Sequence, residues 1–433
     1  MLNKIPPHLL VAGSAWLSRL ITAAVGLVSI RILIQGLGTD QYAVYAVLGG
    51  LQGWYMLADL GIGTSLQNHI SERRAGGHHY EDLVVTAGLV TMSFMLLSFV
   101  LLYVASPLLA PRIMPGFEFL NALEKTDHFF IVGVISIVTC AGSVVYRIWY
   151  AEQKGYLANI LPAGASIISL VAVYLVSRGH HEHRLYWSLV AAFGPAGIIP
   201  IAAFFHRIGR NLLRIRSVNR DVLLLLLKRG LKFWLTAIMA AGVLQVDYLI
   251  MARYLPAKEI VVYNLTAKIF TLVYFMYTSI LNAIWPLCAE AIAKNLWSEV
   301  LGYVRRYIYI GVLLISCSTI VLVFLMPQLV GLLAPGKVVH VPVFFIILVG
   351  LYNIIRIWSD TFAMVLQSMS YLRPFVIYIP VQALITIVLQ MIFAPRFGVS
   401  GILYGLILSF LLTSVWILPW CVARRRNMMV SKV

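Results

Sequence analysis

The sequence predicts an all-α polytopic membrane protein, with about twelve transmembrane helices in two six-helix lobes around a central cavity. Three observations carry that expectation. Of 433 residues, 61% are hydrophobic and only 11% are charged, with a mean hydropathy of +0.90. A soluble chain of this size needs far more surface charge. Apolar runs of about 20 residues or more alternate with short polar segments, and features of the first half return in order in the second.

The apolar runs lie at roughly 9–35, 41–68, 83–106, 128–151, 156–177, 185–206, 226–253, 258–286, 306–331, 341–367, 373–394 and 398–422. The opening MLNKIPPHLL has a single early Lys. The apolar segment after it is too long for a signal-peptide core and lacks an A-x-A exit, so it reads as a retained first helix. With twelve crossings, both termini lie on one side. The segments on that side carry about 20 of the 33 Lys and Arg, against about 8 in the opposite loops, which makes it cytoplasmic. The densest cluster is HRIGRNLLRIRSVNRD, with Arg207, Arg210, Arg214, Arg216 and Arg220. Most of the net charge of +17 is therefore a topology signal and an attraction to anionic lipid. A nucleic-acid footprint would need a soluble domain, and none is apparent.

The repeat rests on three matches. LGTDQYAVY (Leu37 to Tyr45) resembles LPAKEIVVY (Leu255 to Tyr263), Pro115-Gly116 matches Pro335-Gly336, and EQKGYL (Glu152 to Leu157) matches QSMSYL (Gln367 to Leu372). The offsets are about 218, 220 and 215 residues, close to half the chain. Six helices per repeat is an even number, so the halves share one orientation and are related by a parallel pseudo-two-fold axis. The expected division is residues 1–206 and 223–433, joined by an Arg-rich cytoplasmic linker at 207–222.

The charges inside the predicted spans include Arg19, Arg31, Arg147, Lys268, Arg356, Asp59, Asp247 and Asp360. Each costs about 2.5–3.5 kcal/mol at a helix centre, so each faces protein or a wet cavity unless it can snorkel to the headgroups. Arg31 and Arg147 lie near enough to helix ends to snorkel. Arg19 and Lys268 sit near the midplane. The excess of cations favours an anionic cargo such as a pyrophosphate, with Arg19, Arg31, Lys268 and Arg356 as its contacts. Asp59, Asp247 and Asp360 are candidate ion-coupling sites, with simple salt bridging as the other reading. Arg356 and Asp360, one helical turn apart, are expected to pair. The four cysteines fall in apolar runs without C-x-x-C spacing. His180, His181 and His183 occupy a brief turn and lack metal-site spacing, so no metal or cofactor is expected.

Specific motifs add a resemblance. DLGIGTSLQNHISE from Asp59, LQVDYLI from Leu244, AIWPLCAE from Ala283 and IWSDTFAMVLQSMSYL from Ile357 resemble the Wzx-type O-antigen flippases. These form the polysaccharide branch of the multidrug/oligosaccharidyl-lipid/polysaccharide exporter superfamily. The resemblance implies translocation of an undecaprenyl-pyrophosphate-linked O-unit to the periplasmic leaflet of a Gram-negative inner membrane. It also implies drive by an H+ or Na+ gradient, and contact with membrane lipid and other O-antigen assembly proteins. No G-x-x-x-x-G-K-[ST] motif for ATP occurs. Two alternatives remain: a multidrug/cation antiporter of the same superfamily, and a polymerase- or ligase-type membrane enzyme. The first would want an acidic cavity. The second would want a large outer loop, whereas the longest expected here is about 20 residues, SPLLAPRIMPGFEFLNALEKTD.

Overall fold

The computed structural model describes residues 7–179, 183–212, 220–335, 340–369, 371 and 373–430. In hydrocarbon, backbone N–H and C=O groups must bond within their own segment, so apolar runs of this length become helices. The first half holds α1 (Pro7–Gly50), α2 (Gln52–Tyr55), α3 (Ile62–Ala75), α4 (Glu81–Ile113), α5 (Ala122–Ala151), α6 (Gly155–Arg178) and α7 (Arg184–Leu212). Then come α8 (Arg220–Leu244), α9 (Val246–Tyr254), α10 (Ala257–Ala293), α11 (Trp297–Leu333), α12 (Val343–Ser368), α13 (Arg373–Phe397), α14 (Val399–Leu412) and α15 (Ser414–Val430). No strand occurs among the described residues.

Among the described residues, eleven helical stretches are long and apolar enough to cross a membrane. The first, Gly13–Tyr55, has 43 residues. As one straight helix it would reach about 65 Å, twice the hydrocarbon thickness. It breaks at Gly38, whose φ of 79° and ψ of 178° suit a residue without Cβ. Division there leaves room for two crossings, which makes twelve candidate crossings among the described residues. The three repeat matches fall at equivalent turns. Gly38 and Leu255–Pro256 follow crossings one and seven, Pro115 and Pro335 follow three and nine, and Glu152–Lys154 and Met369 follow four and ten. Gly336, Ser370 and Leu372 of those motifs lie outside the described residues.

Three crossings are less regular than their apolar runs predict. The second is interrupted by a 3-10 turn at Met56–Asp59, the seventh at Gln245 and the last at Thr413. The expected outer loop of about 20 residues is mostly helix, because α4 runs on to Ile113 and α5 begins at Ala122. Pro107 and Pro111 lie inside α4 without ending it. Asn121 caps α5 by accepting from the Glu124 N–H at 2.8 Å, while the Glu124 carboxylate accepts from the Asn121 N–H at 2.9 Å. Arg214 and Arg216 of the Arg-rich segment, with His180 and His181, lie outside the described residues.

Contacts divide the chain into two compact units. The first comprises residues 1–241 with 333–335, and the second 242–332 with 336–433. In the first, α5 packs against α3, α4 and α7 around Leu66, Val84, Val144, Ile148, Phe204 and Ile208. A charged network closes one end of this packing. Arg207 reaches Glu81 at 3.0 Å and the buried Glu152 at 2.6 Å, and Arg73 reaches Asp82 at 2.6 Å. Arg229 of α8 bonds Glu72 of α3 at 2.7 Å, and the guanidinium holds the Glu72 carboxyl below its usual range. In the second unit α10 packs on α12, and α13 on α9 and α14. Glu259 of α10 accepts the Val399 N–H at 2.5 Å and so caps α14.

Candidate functional site

In the second unit, Tyr352, Asn353 and Arg356 recur at helical spacing and share one face of α12. On α10, Tyr263, Thr271 and Tyr274 do the same. These side chains, with Asp247 and Tyr248, line a cavity of about 330 Å³. The seventh crossing is interrupted two residues before Asp247, with Gln245 in non-helical conformation. Interrupted membrane helices leave backbone polar groups available where a cavity can use them.

Asp247 is 5% exposed. One carboxylate oxygen accepts from the Tyr263 hydroxyl, and the other from Gln390 Nε2 at 2.9 Å. Gln390 also donates to the Ile402 carbonyl at 3.2 Å, and its Oε1 is buried without a hydrogen bond among the described residues. Tyr248 accepts from Asn264 Nδ2 at 2.9 Å and meets Tyr263 edge-on, ring centres 5.9 Å apart. A carboxylate sunk this deep is tolerable because both its oxygens are hydrogen-bonded.

Arg356 and Asp360 do not pair as the sequence leads one to expect. The Arg356 guanidinium lies over the Tyr274 ring, 4.1 Å from its centre, and 5.7 Å from the Tyr352 ring centre. Asp360 accepts from the Tyr274 hydroxyl. One turn of spacing puts two side chains on one face, but a neighbouring helix decides what each meets there. Here a single tyrosine of α10 takes the cation on its ring and the acid on its hydroxyl. Lys268, half-buried on α10, neighbours the cavity-lining Ala267 and makes no ion pair among the described residues.

The first unit holds a separate cavity of about 210 Å³, lined in part by Asp59, Gly61, Arg147 and Trp234. Asp59 Oδ1 accepts from the Gly61 N–H at 2.8 Å, which fixes the turn after the 3-10 segment. Gly61 has φ 72°, and a Cβ there would strike the Gly230 carbonyl of α8. The Trp234 indole donates to the Leu57 carbonyl at 2.7 Å. Arg147 is exposed and lies 3.4 Å from Gln67 Oε1. Arg19 and Arg31 are exposed on α1 and line neither cavity.

The structure thus brings Asp247, Arg356 and Asp360 into one cluster, and places Asp59 with Arg147 in another. The partners that sequence reasoning missed are neutral: Gln390, Tyr263 in its bonding role, Tyr352 and Asn353. One signal was available. Gln382 and Gln390 stand two helical turns apart in an otherwise apolar run, and amides there need partners.

No protein-family model matches the sequence. Among curated proteins, the chain is 38% identical over 419 residues to one of Yersinia pseudotuberculosis that bears the name of an O-antigen export protein, covering 96% of each chain. It is 37% identical over 418 residues to one of Salmonella typhi named as an O-antigen transporter, again covering 96% of each. Among solved structures, the fold matches an inward-facing multidrug resistance transporter of the MATE family (TM-score 0.77, 12% identity, 95% of each chain). It also matches the lipid II flippase MurJ (TM-score 0.72, 12% identity, 94% of this chain and 87% of that one). At such identities these structures speak to fold alone. Identity with the curated relatives runs along nearly the whole length of both partners, and on that ground the chain belongs to the O-antigen export family, the Wzx-type flippases.

Proposed function

We propose that this membrane transporter moves an undecaprenyl-pyrophosphate-linked O-unit from the cytoplasmic to the periplasmic leaflet of the inner membrane. It works by alternating access of residues 1–206 against 223–433, drawing on an H+ or Na+ gradient. The observation that carries the reading is an Arg lining a cavity among helices long and apolar enough to cross a membrane, in a chain whose relatives are named for O-antigen export. A guanidinium suits a pyrophosphate through charge-assisted, bidentate hydrogen bonds. In this reading Arg356 is the principal anion contact, aided by Lys268, Arg19 and Arg31 as the cargo passes. Asp247, Asp360 and Asp59 are the carboxylates able to exchange the coupling ion. Both termini face the cytoplasm, as the Lys and Arg distribution supports.

The test is the leaflet on which the substrate accumulates. Cells lacking the protein should gather lipid-linked single O-units on the cytoplasmic leaflet. Accumulation on the periplasmic leaflet would instead fit a polymerase- or ligase-type enzyme.

A further inference from the structure

Tyr274 touches both charged members of the α12 cluster, through different parts of one rigid side chain. The ring face lies 4.1 Å under the Arg356 guanidinium, and the hydroxyl donates to the Asp360 carboxylate. A phenol is planar and its oxygen lies in the ring plane, so turning the hydroxyl away from Asp360 also tilts the face that carries Arg356. Other groups also surround the two charges. Arg356 also stacks on Tyr352 of its own helix, at 5.7 Å, and feels Asp247 of α9. Tyr378 of α13 also feels the Asp360 charge.

We propose that Tyr274 is the positioning residue that links the protonation of Asp360 to the grip of Arg356 on the cargo's anionic head. This rests on the reading of Arg356 as the anion contact. With Asp360 ionised, the carboxylate fixes the phenol, and the guanidinium is parked flat on the ring. When Asp360 takes up a proton, it no longer needs the phenol as donor. The ring is then free to tilt, and Arg356 can present its N–H groups to a phosphate. The reverse follows by linkage: an anion that draws Arg356 off the ring favours proton uptake at Asp360.

The experiment uses full-length purified protein and inorganic pyrophosphate. Calorimetric titrations in buffers of different ionisation enthalpy give both affinity and the protons taken up on binding. The parent should take up a proton. Tyr274→Phe keeps the ring and removes the hydroxyl. It should bind pyrophosphate within about threefold of the parent but without linked proton uptake. Tyr274→Leu removes both functions and should change affinity by about tenfold, the scale of a desolvated cation–π contact. Proton uptake that persists in a well-folded Tyr274→Phe protein would overturn the link while leaving the Arg356 site intact. Equal binding by the parent and Arg356→Gln would overturn the site itself, and the link with it.

Discussion

Replacing Arg356 with Gln separates a cargo contact from a packing residue. The structure sets both sides of the balance. The substitution loses guanidinium contacts to two rings, at 4.1 and 5.7 Å. Each is worth about 1 kcal/mol where desolvated, the nearer one more. It also removes a cation whose insertion costs about 2.5–3.5 kcal/mol at membrane depth. These effects oppose each other, so stability should move by no more than about 2 kcal/mol in either direction. Cargo binding has no such compensation. Losing charge-assisted hydrogen bonds to a phosphate costs about 1.5–3 kcal/mol, or about 10- to 150-fold in affinity. The assay is thermal unfolding of purified protein alongside O-antigen export in cells. Arg356→Gln should unfold near the parent temperature and export poorly. Pairing it with Asp360→Asn should restore neither export nor cargo binding. Normal export by a well-inserted double variant would refute the cargo role, and failure of Arg356→Gln to insert would mark the residue as structural.

Further expectations concern the other carboxylates and one tight helix contact. Asn substitution at Asp59, Asp247 and Asp360 in turn should leave inserted protein, with gradient-driven transport impaired in at least one. Three variants that all transport normally under a proton gradient would remove carboxylate coupling. Gly61→Ala strains a positive φ and drives a Cβ against the Gly230 carbonyl. It should cost about 2–4 kcal/mol and lower the amount of folded protein in membranes, and a neutral melting temperature would contradict that contact. Glu72 titrates below its usual range beside Arg229, so its contribution is present above the unfolded-state pKa and fades as pH falls through the lower folded value. Both side chains are well exposed, so Glu72→Gln should cost less than about 1 kcal/mol at neutral pH and nothing in strong acid. A melting-temperature profile against pH reads this directly.

The fold was largely legible because hydrocarbon leaves few options. A run of some 20 apolar residues has to be a helix, and the turns at Leu37, Pro115 and Glu152 return at Leu255, Pro335 and Gln367. Interruptions inside crossings were less legible. Gly61 and Gln245 sit in apolar surroundings, and a glycine marks a break only where neighbouring backbone approaches, as Gly230 does. Charged members of the site could be found one at a time from their insertion cost. Their partners could not. Spacing alone suggested an Arg356–Asp360 pair, and only the placement of α10 beside α12 reveals Tyr274 between their functions. Gln390 carries no charge and so has no comparable insertion cost to mark it, yet it donates to Asp247.

Translocation itself is the most direct measurement. Purified protein would be reconstituted into liposomes carrying undecaprenyl-pyrophosphate-linked O-units in one leaflet, under imposed proton or sodium gradients. Arrival in the opposite leaflet would be scored by access to an added glycan-cleaving enzyme. Transfer should need the protein, speed up with one of the two gradients and fall sharply in Arg356→Gln. Transfer no faster than in protein-free liposomes, under either gradient and with folded protein present, would contradict it.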